Sequence, residues 1–220
     1  MMNKYYSNKQ SIDFYKNNRN KVKHLYRSEK KFFIRAAKKS NSFLDLGCAL
    51  GGFINIINEI KKKKFNYLGL DNQYKLIKIA KKKNPKYNFL LITKNNFPLK
   101  KKFDLVFSLG TLHHIKEWKT YILQMKKLSN RYLLFDVRLT KDLTTNSLKQ
   151  FQKITFGKKW DRYSKINYVT INYLEFETFL NKNFKHFKIE KIKYLNKVGK
   201  GYVGKYKKVI MATFLLEKNS

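Results

Sequence analysis

Short apolar runs alternate with longer amphipathic stretches from about residue 43 onward. FLDL, YLGL, YNFLLI and FDLVFS are apolar along nearly their whole length, as strands covered on both faces of a sheet are. Between them FINIINEI, QYKLIKIAKK and WKTYILQMKKL repeat their apolar positions at the helical period. RYLLFDV then reads as a strand and YLEFETFL as a helix. FKIEKIKYL and KKVIMATFLLE, joined by a short Gly-containing link, read as an antiparallel pair. The order predicts an α/β fold: a Rossmann-like, doubly wound, seven-stranded sheet, mostly parallel, closed by an antiparallel C-terminal β-hairpin. Ahead of it, Ser7–Lys39 is polar with apolar positions at Ile12, Phe14, Tyr15, Val22, Leu25 and Tyr26, the mark of one or two helices. The expected division is a helical cap over residues 1–40 and a single domain over 41–220, with a loop-rich insertion at about 138–169. No repeat or Gly/Pro-rich linker divides the chain.

Composition narrows the class. At 220 residues with 43% hydrophobic side chains the chain can bury one good core and not two. No apolar run is long enough to cross a bilayer, and the opening MMNKYYSNKQ lacks the apolar core of a secretory leader. A lone cysteine, Cys48, excludes an internal disulfide and a Cys-based zinc site. The expectation is a cytoplasmic, metal-independent protein.

The formal charge of +36 first suggests a polyanion partner. Of the 50 basic residues 44 are lysine and 6 arginine, whereas a phosphate-gripping surface is expected to use the bidentate arginine fork. The joint excess of Lys, Asn, Ile, Phe and Tyr matches an AT-rich coding sequence, so nucleic acid is the less favoured partner. Placement points the same way. Lys61–Lys64, Lys81–Lys83 and Lys100–Lys102 each precede a strand, at the sheet edge away from the ligand crevice of such folds. Lys197, Lys200 and Lys205, in the closing hairpin, are expected back at the crevice.

The chemistry begins at SFLDLGCALGGF, Ser42–Phe53. A strand ending at Asp45 runs into Gly47, Ala49, Gly51 and Gly52, small residues that let backbone approach a ligand while a helix aims its free N–H groups at it. A tight strand–helix turn needs the same residues for packing alone. Asp71, at the end of the second strand, stands where a carboxylate accepts ribose hydroxyls. Acids are scarce, yet Asp45, Asp71, Asp104 and Asp136 all fall at predicted strand ends. Gly47, Ala49 and Gly52 also approximate the dinucleotide-binding Gly-x-Gly-x-x-Gly.

LDLGCALGGF, LGLD, FDLVFSLGTLHHI and RYLLFDV, in this order and spacing, resemble the class I S-adenosylmethionine-dependent methyltransferases, nearest to the small-molecule, type 11/12-like group. The resemblance covers about Phe43–Val137, and the terminal strand pair fits the family's closing hairpin. It implies S-adenosyl-L-methionine as cofactor, with Gly47, Ala49 and Gly51 along its amino-acid part and Asp45 helping to hold its amino group. Asp71 would take the ribose hydroxyls, with Asn72 and Gln73 flanking the adenine. Ser108, Leu109 and Gly110 would line the sulfonium, and His113 and His114 the substrate rim. The family's glycine pattern carries alanine in its middle place here. After the third strand ITKNNF offers no carboxylate, so the adenine contact falls somewhere in Thr93–Asn96.

Methyl transfer is an in-line displacement that needs alignment and exclusion of water. A hydroxyl acceptor gains from a general base, for which His114, then His113, are the candidates; the same TLHHI can serve as a structural turn. Tyr5, Tyr6 and Tyr15 could roof the crevice, and Trp160, Asp161, Arg162 and Tyr163 could wall it or anchor a surface loop. Lys197, Lys200 and Tyr202 could meet an anionic substrate group. No Asn/Asp-Pro-Pro-aromatic stretch is present, no cysteine is placed to attack a pyrimidine, and the Lys-Asp-Lys-Glu set of ribose 2′-O enzymes is not met. The expected function is methyl transfer to a small molecule, an oxygen acceptor slightly favoured. An RNA or protein methyltransferase, or a non-catalytic nucleic-acid-binding domain, is the alternative.

Overall fold

The structure, a computed structural model, describes residues 9–92, 97–142, 151–153, 165–199 and 202–219. Tyr5, Tyr6, Thr93–Asn96, Trp160, Asp161, Arg162, Tyr163 and Lys200 lie outside the described residues. The chain begins with α1 (Lys9–Asn17), a 3-10 turn (Val22–His24) and α2 (Arg27–Lys38). The alternation follows as β1 (Ser42–Leu46), α3 (Phe53–Ile60), β2 (Asn66–Asp71), α4 (Tyr74–Lys83), β3 (Asn88–Leu91), β4 (Phe103–Ser108), a 3-10 turn (Leu112–His114), α5 (Trp118–Leu128) and β5 (Ser129–Thr140). Then come β6 (Phe151–Lys153), β7 (Lys165–Asn167), β8 (Ile171–Asn172), α6 (Tyr173–Asn183), β9 (Phe187–Lys197), β10 (Tyr202–Val203) and β11 (Lys208–Lys218).

The main sheet runs β3-β2-β1-β4-β5-β11-β9, with the two-residue β8 against the end of β5. β1 to β5 are mutually parallel, and β11 is antiparallel to both β5 and β9. The predicted doubly wound sheet with its antiparallel closure is therefore present. The insertion is more regular than expected: β5 continues through Thr140, and β6 pairs with β7 on one side and β10 on the other in a second, three-stranded sheet. Only short pairings hold it, Tyr202 and Val203 opposite Gln152 and Phe151, which a strand-length apolar run would not reveal.

Period-two alternation sorts the strands between two cores. Leu44, Leu46, Val106, Leu133, Phe135 and Val137 face α5 and α6, meeting Trp118, Ile122 and Phe176. Phe43, Leu105, Phe107, Tyr132 and Leu134 face the other way, onto Phe33 of α2 and Phe53, Ile54 and Ile57 of α3. Burial on both faces explains why the strands are apolar throughout. α1 stands apart: Ile12 packs on Leu50 and Leu76, with Tyr15 and Ala49 at the margin, so it lies against the glycine bend.

Candidate active site

β1, β2, β4 and β5 end at one edge, and the described cofactor-site residues and histidines predicted from the sequence lie there or in the turns that follow. Between β1 and α3 the bend takes left-handed backbone at Gly47 (φ 86°), Ala49 (φ 46°) and Gly51 (φ 73°). Gly47 and Cys48 both donate their N–H groups to the Leu70 carbonyl, at 2.8 and 3.0 Å, tying the bend to the end of β2. A Cβ at Gly47 would stand 2.3 Å from Thr111 Oγ1, so glycine here lets the turn after β4 close over the bend. Ala49 is the one bend residue that holds left-handed backbone with a side chain, a strained choice.

Two carboxylates sit behind the bend. Asp71 accepts the Ala49 and Gln73 N–H groups, each at 2.9 Å. Asp45 accepts the Tyr67 hydroxyl at 2.6 Å. Both are buried, and neither has an ion-pair partner among the described residues. Burial pushes the Asp45 carboxyl up to about 7 despite the Tyr67 hydrogen bond, with the nearby Asp71 charge adding to it. Burial also lifts Asp71 to about 6, against the pull of its backbone donors. A buried carboxylate without a counter-ion is costly, and a cationic ligand is what relieves it. Asn72 is exposed, with Gln73 Nε2 donating to its side-chain oxygen at 2.8 Å.

The turn after β4 divides its residues. Ser108 is buried and donates its hydroxyl to the Leu46 carbonyl at 3.0 Å. Leu109 packs into the α2–α3 core. Their side chains are thus engaged inward, and Gly110 presents the opening: φ is 75°, and a Cβ there would meet nothing within 4 Å. Its N–H donates to Asp136 Oδ1 at 2.5 Å, while Asp136 Oδ2 accepts from Arg138 at 2.5 Å. Arg138 in turn bonds to Tyr168, whose ring meets Tyr202 at 4.8 Å and His113 at 5.6 Å.

The two histidine rings touch at a tilt of 48°, centroids 3.8 Å apart. His114 Nδ1 lies 2.7 Å from the Asn167 carbonyl. A carbonyl only accepts, so the neutral ring carries its proton on Nδ1 and its lone pair on Nε2. Burial drives His114 down to about 4, with the Asn167 bond pulling the other way and Arg138 adding to the fall. Burial, then His114 and Arg138, hold His113 well below the usual imidazole range, and its buried Nδ1 has no hydrogen-bond partner among the described residues.

Sequence reasoning missed the buried ion pairs that frame this edge. Arg19, at φ 60°, places its guanidinium on Glu29 in two bonds of 2.6 and 3.1 Å and over the Phe53 ring at 5.3 Å. Its carbonyl stands where a Cβ on Gly52 would lie 2.5 Å away. Asp136–Arg138 is the second pair. A charged residue in a run as apolar as RYLLFDVRLT was the available signal; for Arg19 nothing in its polar neighbourhood distinguished it from a surface arginine.

Residues 18–190 match a family described as a methyltransferase domain. The chain belongs to that family. Among curated members it is 25% identical over 187 residues, 77% of its length, to putative methyltransferase 235L of invertebrate iridescent virus 6. It is 29% identical over 108 residues, 47% of its length, to malonyl-[acyl-carrier protein] O-methyltransferase 1 of Ilyobacter polytropus. These matches span 66% and 37% of the two relatives' own lengths. Among solved structures it shares the fold of the magnesium protoporphyrin IX methyltransferase of Synechocystis with bound S-adenosylmethionine. That match has a TM-score of 0.52 at 13% identity, over 96% of this chain and 94% of that one. Within this methyltransferase domain, then, the bend, Asp45, Asp71 and Gly110 share the tips of β1, β2 and β4.

Proposed function

We propose that this methyltransferase domain transfers a methyl group from S-adenosyl-L-methionine to an oxygen of a small molecule. The observation that carries the reading is the pair of buried carboxylates, Asp45 and Asp71, without a cation of their own beside a left-handed glycine bend. A ligand bearing an ammonium and a sulfonium supplies that missing charge, and ribose hydroxyls suit the Asp71 oxygens. The residues present fit the group: Asp71, Asn72 and Gln73 toward the nucleoside, Asp45 and the bend from Gly47 through Ala49 to Gly51 toward the amino acid. Gly110 would face the methyl, with the backbone of Ser108 and Leu109 behind it. Once bound, the cofactor supplies a methyl carbon activated by a positively charged sulfur.

The chain's own part is alignment and dryness. α1, with Ile12 and Tyr15 against the bend, serves as a roof over the crevice. The acceptor lies on the other side of Gly110, among His113, His114, Tyr168 and Arg138. Both imidazoles stay neutral at physiological pH, and a ring whose pKa is near 4 draws a hydroxyl proton weakly. The arrangement therefore suits an acceptor oxygen that is already ionised, a carboxylate above all, with His114 and His113 as hydrogen-bonding walls. The O-methyltransferase activity named for the Ilyobacter relative accords with an oxygen acceptor.

Calorimetric titration with S-adenosylmethionine tests the cofactor half. Binding at micromolar concentration is expected, with Asp71→Ala weakening it at least tenfold. Release of S-adenosylhomocysteine across a panel of small carboxylic acids, phenols and alcohols tests the acceptor half. No heat with the wild-type chain, or unchanged affinity in Asp71→Ala, overturns the cofactor site; turnover confined to alcohols overturns the ionised acceptor.

A further inference from the structure

The edge of the sheet opposite the crevice carries a charge that neither fold nor catalysis accounts for, and we propose that it is a docking face for an anionic lipid surface. In the order of the strands, Lys81–Lys83 lead toward β3, Lys62–Lys64 into β2, Lys38 and Lys39 toward β1, Lys100–Lys102 into β4 and Lys127 into β5. All of these lysines are exposed. Five neighbouring strands at ~4.8 Å spacing make this row ~19 Å long. Helices α2, α3, α4 and α5 also end here, on both faces of the sheet, and widen the row into a patch.

Helix ends explain only a fraction of it. Each C-terminus presents roughly half a negative charge, so four of them call for about two cations where a dozen stand. No acid neutralises the rest: none of these lysines makes an ion pair among the described residues. Asp104, at the start of β4, is held instead by the Asn41 and Ser42 N–H groups at 2.8 and 3.0 Å. Glu217, near the end of β11, pairs with Arg131. At Lys61, beside the row, burial lowers the pKa, the Asp104 charge opposes that fall and Lys63 adds a smaller part to it.

The patch has apolar notches at both ends. Near β5 a groove of about 580 Å³ is floored by Phe97, Leu99, Leu123 and Phe187 and rimmed by Lys102 and Lys218. Near β3 another, about 600 Å³, is lined by Leu68, Pro85 and the exposed Leu90 beside Lys81. Lysine stems over apolar surface beside a flat anionic plane are the chemistry of peripheral lipid attachment. Nucleic acid is the weaker match. Among the described residues the exposed aromatics, Phe14, Tyr26 and Tyr74, belong to the crevice end, and Tyr87 is stacked on Phe65, leaving no platform for bases. Arg131, the arginine of this edge, is already paired.

Sedimentation with vesicles tests it. Vesicles of phosphatidylcholine with 30% phosphatidylserine are expected to carry the full chain down, pure phosphatidylcholine vesicles to leave it in solution. Raising salt from ~50 to ~300 mM should weaken binding at least tenfold. Reversing three charges (Lys62→Glu, Lys64→Glu and Lys101→Glu) should lower vesicle affinity at least tenfold with unchanged circular dichroism and melting temperature. Reversing Lys197, Lys207 and Lys208 at the crevice end should change it less than threefold. Equal loss in both variants would reduce the effect to net charge and overturn the proposal. So would weak vesicle binding alongside tight, edge-dependent binding of a 20-base-pair RNA duplex at ~150 mM salt, which would assign the face to nucleic acid.

Discussion

Two imidazoles on the proposed acceptor side of Gly110 decide what kind of oxygen the site can methylate. Free histidine titrates near 6.5, but burial lowers His114 to about 4 and His113 well below its ordinary value. General-base catalysis contributes ~10²–10⁴-fold where the base is matched to its task, and neither ring is so matched. His114→Ala is accordingly expected to lower kcat by less than about tenfold on a carboxylate acceptor, with the loss partly recovered in His114→Gln. At saturating S-adenosylmethionine, kcat should stay level from pH 6 to 8, because the ring is already neutral throughout. A loss of 100-fold or more, or a rate climbing through pH 6.5, would restore His114 as the base. Sequence reading named these two residues from TLHHI alone. It had no access to their charge state, which depends on packing against Tyr168 and Arg138, some 24 to 55 residues further on in the chain.

At the scale of elements the sequence was most legible where both faces of a strand are buried. FLDL, YLGL and FDLVFS appear as β1, β2 and β4 with ends within a residue or so of the apolar run, because two-sided burial leaves no polar position to blur them. The second sheet was read as loop: β6, β7 and β10 are two or three residues long, shorter than any periodicity can register. The entry to α2 was hidden for another reason. Tyr26 is no ordinary N-cap residue, and Glu29 takes over the duty, accepting the Tyr26 N–H at 2.9 Å while fully buried against Arg19. Burial pushes the Glu29 carboxyl up, and the Arg19 charge opposes that rise. Truncating one partner of a buried ion pair strands the other, a loss of ~3–5 kcal/mol. Glu29→Ala should therefore destabilise the chain by about that amount in urea denaturation, and because Arg19 buttresses Gly52, it should weaken cofactor binding as well. A loss below ~1 kcal/mol would show that the pair is a surface interaction.

For the molecule as a whole, charge is segregated: lysines crowd one edge of the sheet, and two unpaired carboxylates lie at the other. The family resemblance located Asp45 and Asp71 in the sequence, and the fold supplies the reason they matter together. Their titration gives a handle on the whole chain. A carboxyl whose folded pKa is raised from 3.8 to about 7, as at Asp45, binds its proton more tightly when folded. Stability from this group is therefore full below ~pH 4 and is lost as the pH rises toward 7, at up to ~1.4 kcal/mol per pH unit. The histidines run oppositely: held low in the fold, they add stability as the pH rises from about 4 to 6.5. In the ligand-free chain the two trends offset each other over most of that window, so its melting curve is a poor reporter. Binding of a cation separates them, since it favours the ionised carboxylates and leaves the imidazoles neutral. Below pH 7 each cofactor bound should release a fraction of a proton, and the dissociation constant for S-adenosylmethionine should fall as the pH is raised from 5.5 to 7.5. Because ligand stabilisation follows RT ln(1 + [L]/Kd), the melting shift at a fixed cofactor concentration should be larger at pH 7.5. Asp45→Asn should flatten that difference without abolishing binding, Asp71 remaining. Identical shifts at the two pH values in the wild-type chain would mean that neither carboxylate meets the ligand's charge, and the central assignment of the crevice would fail with it.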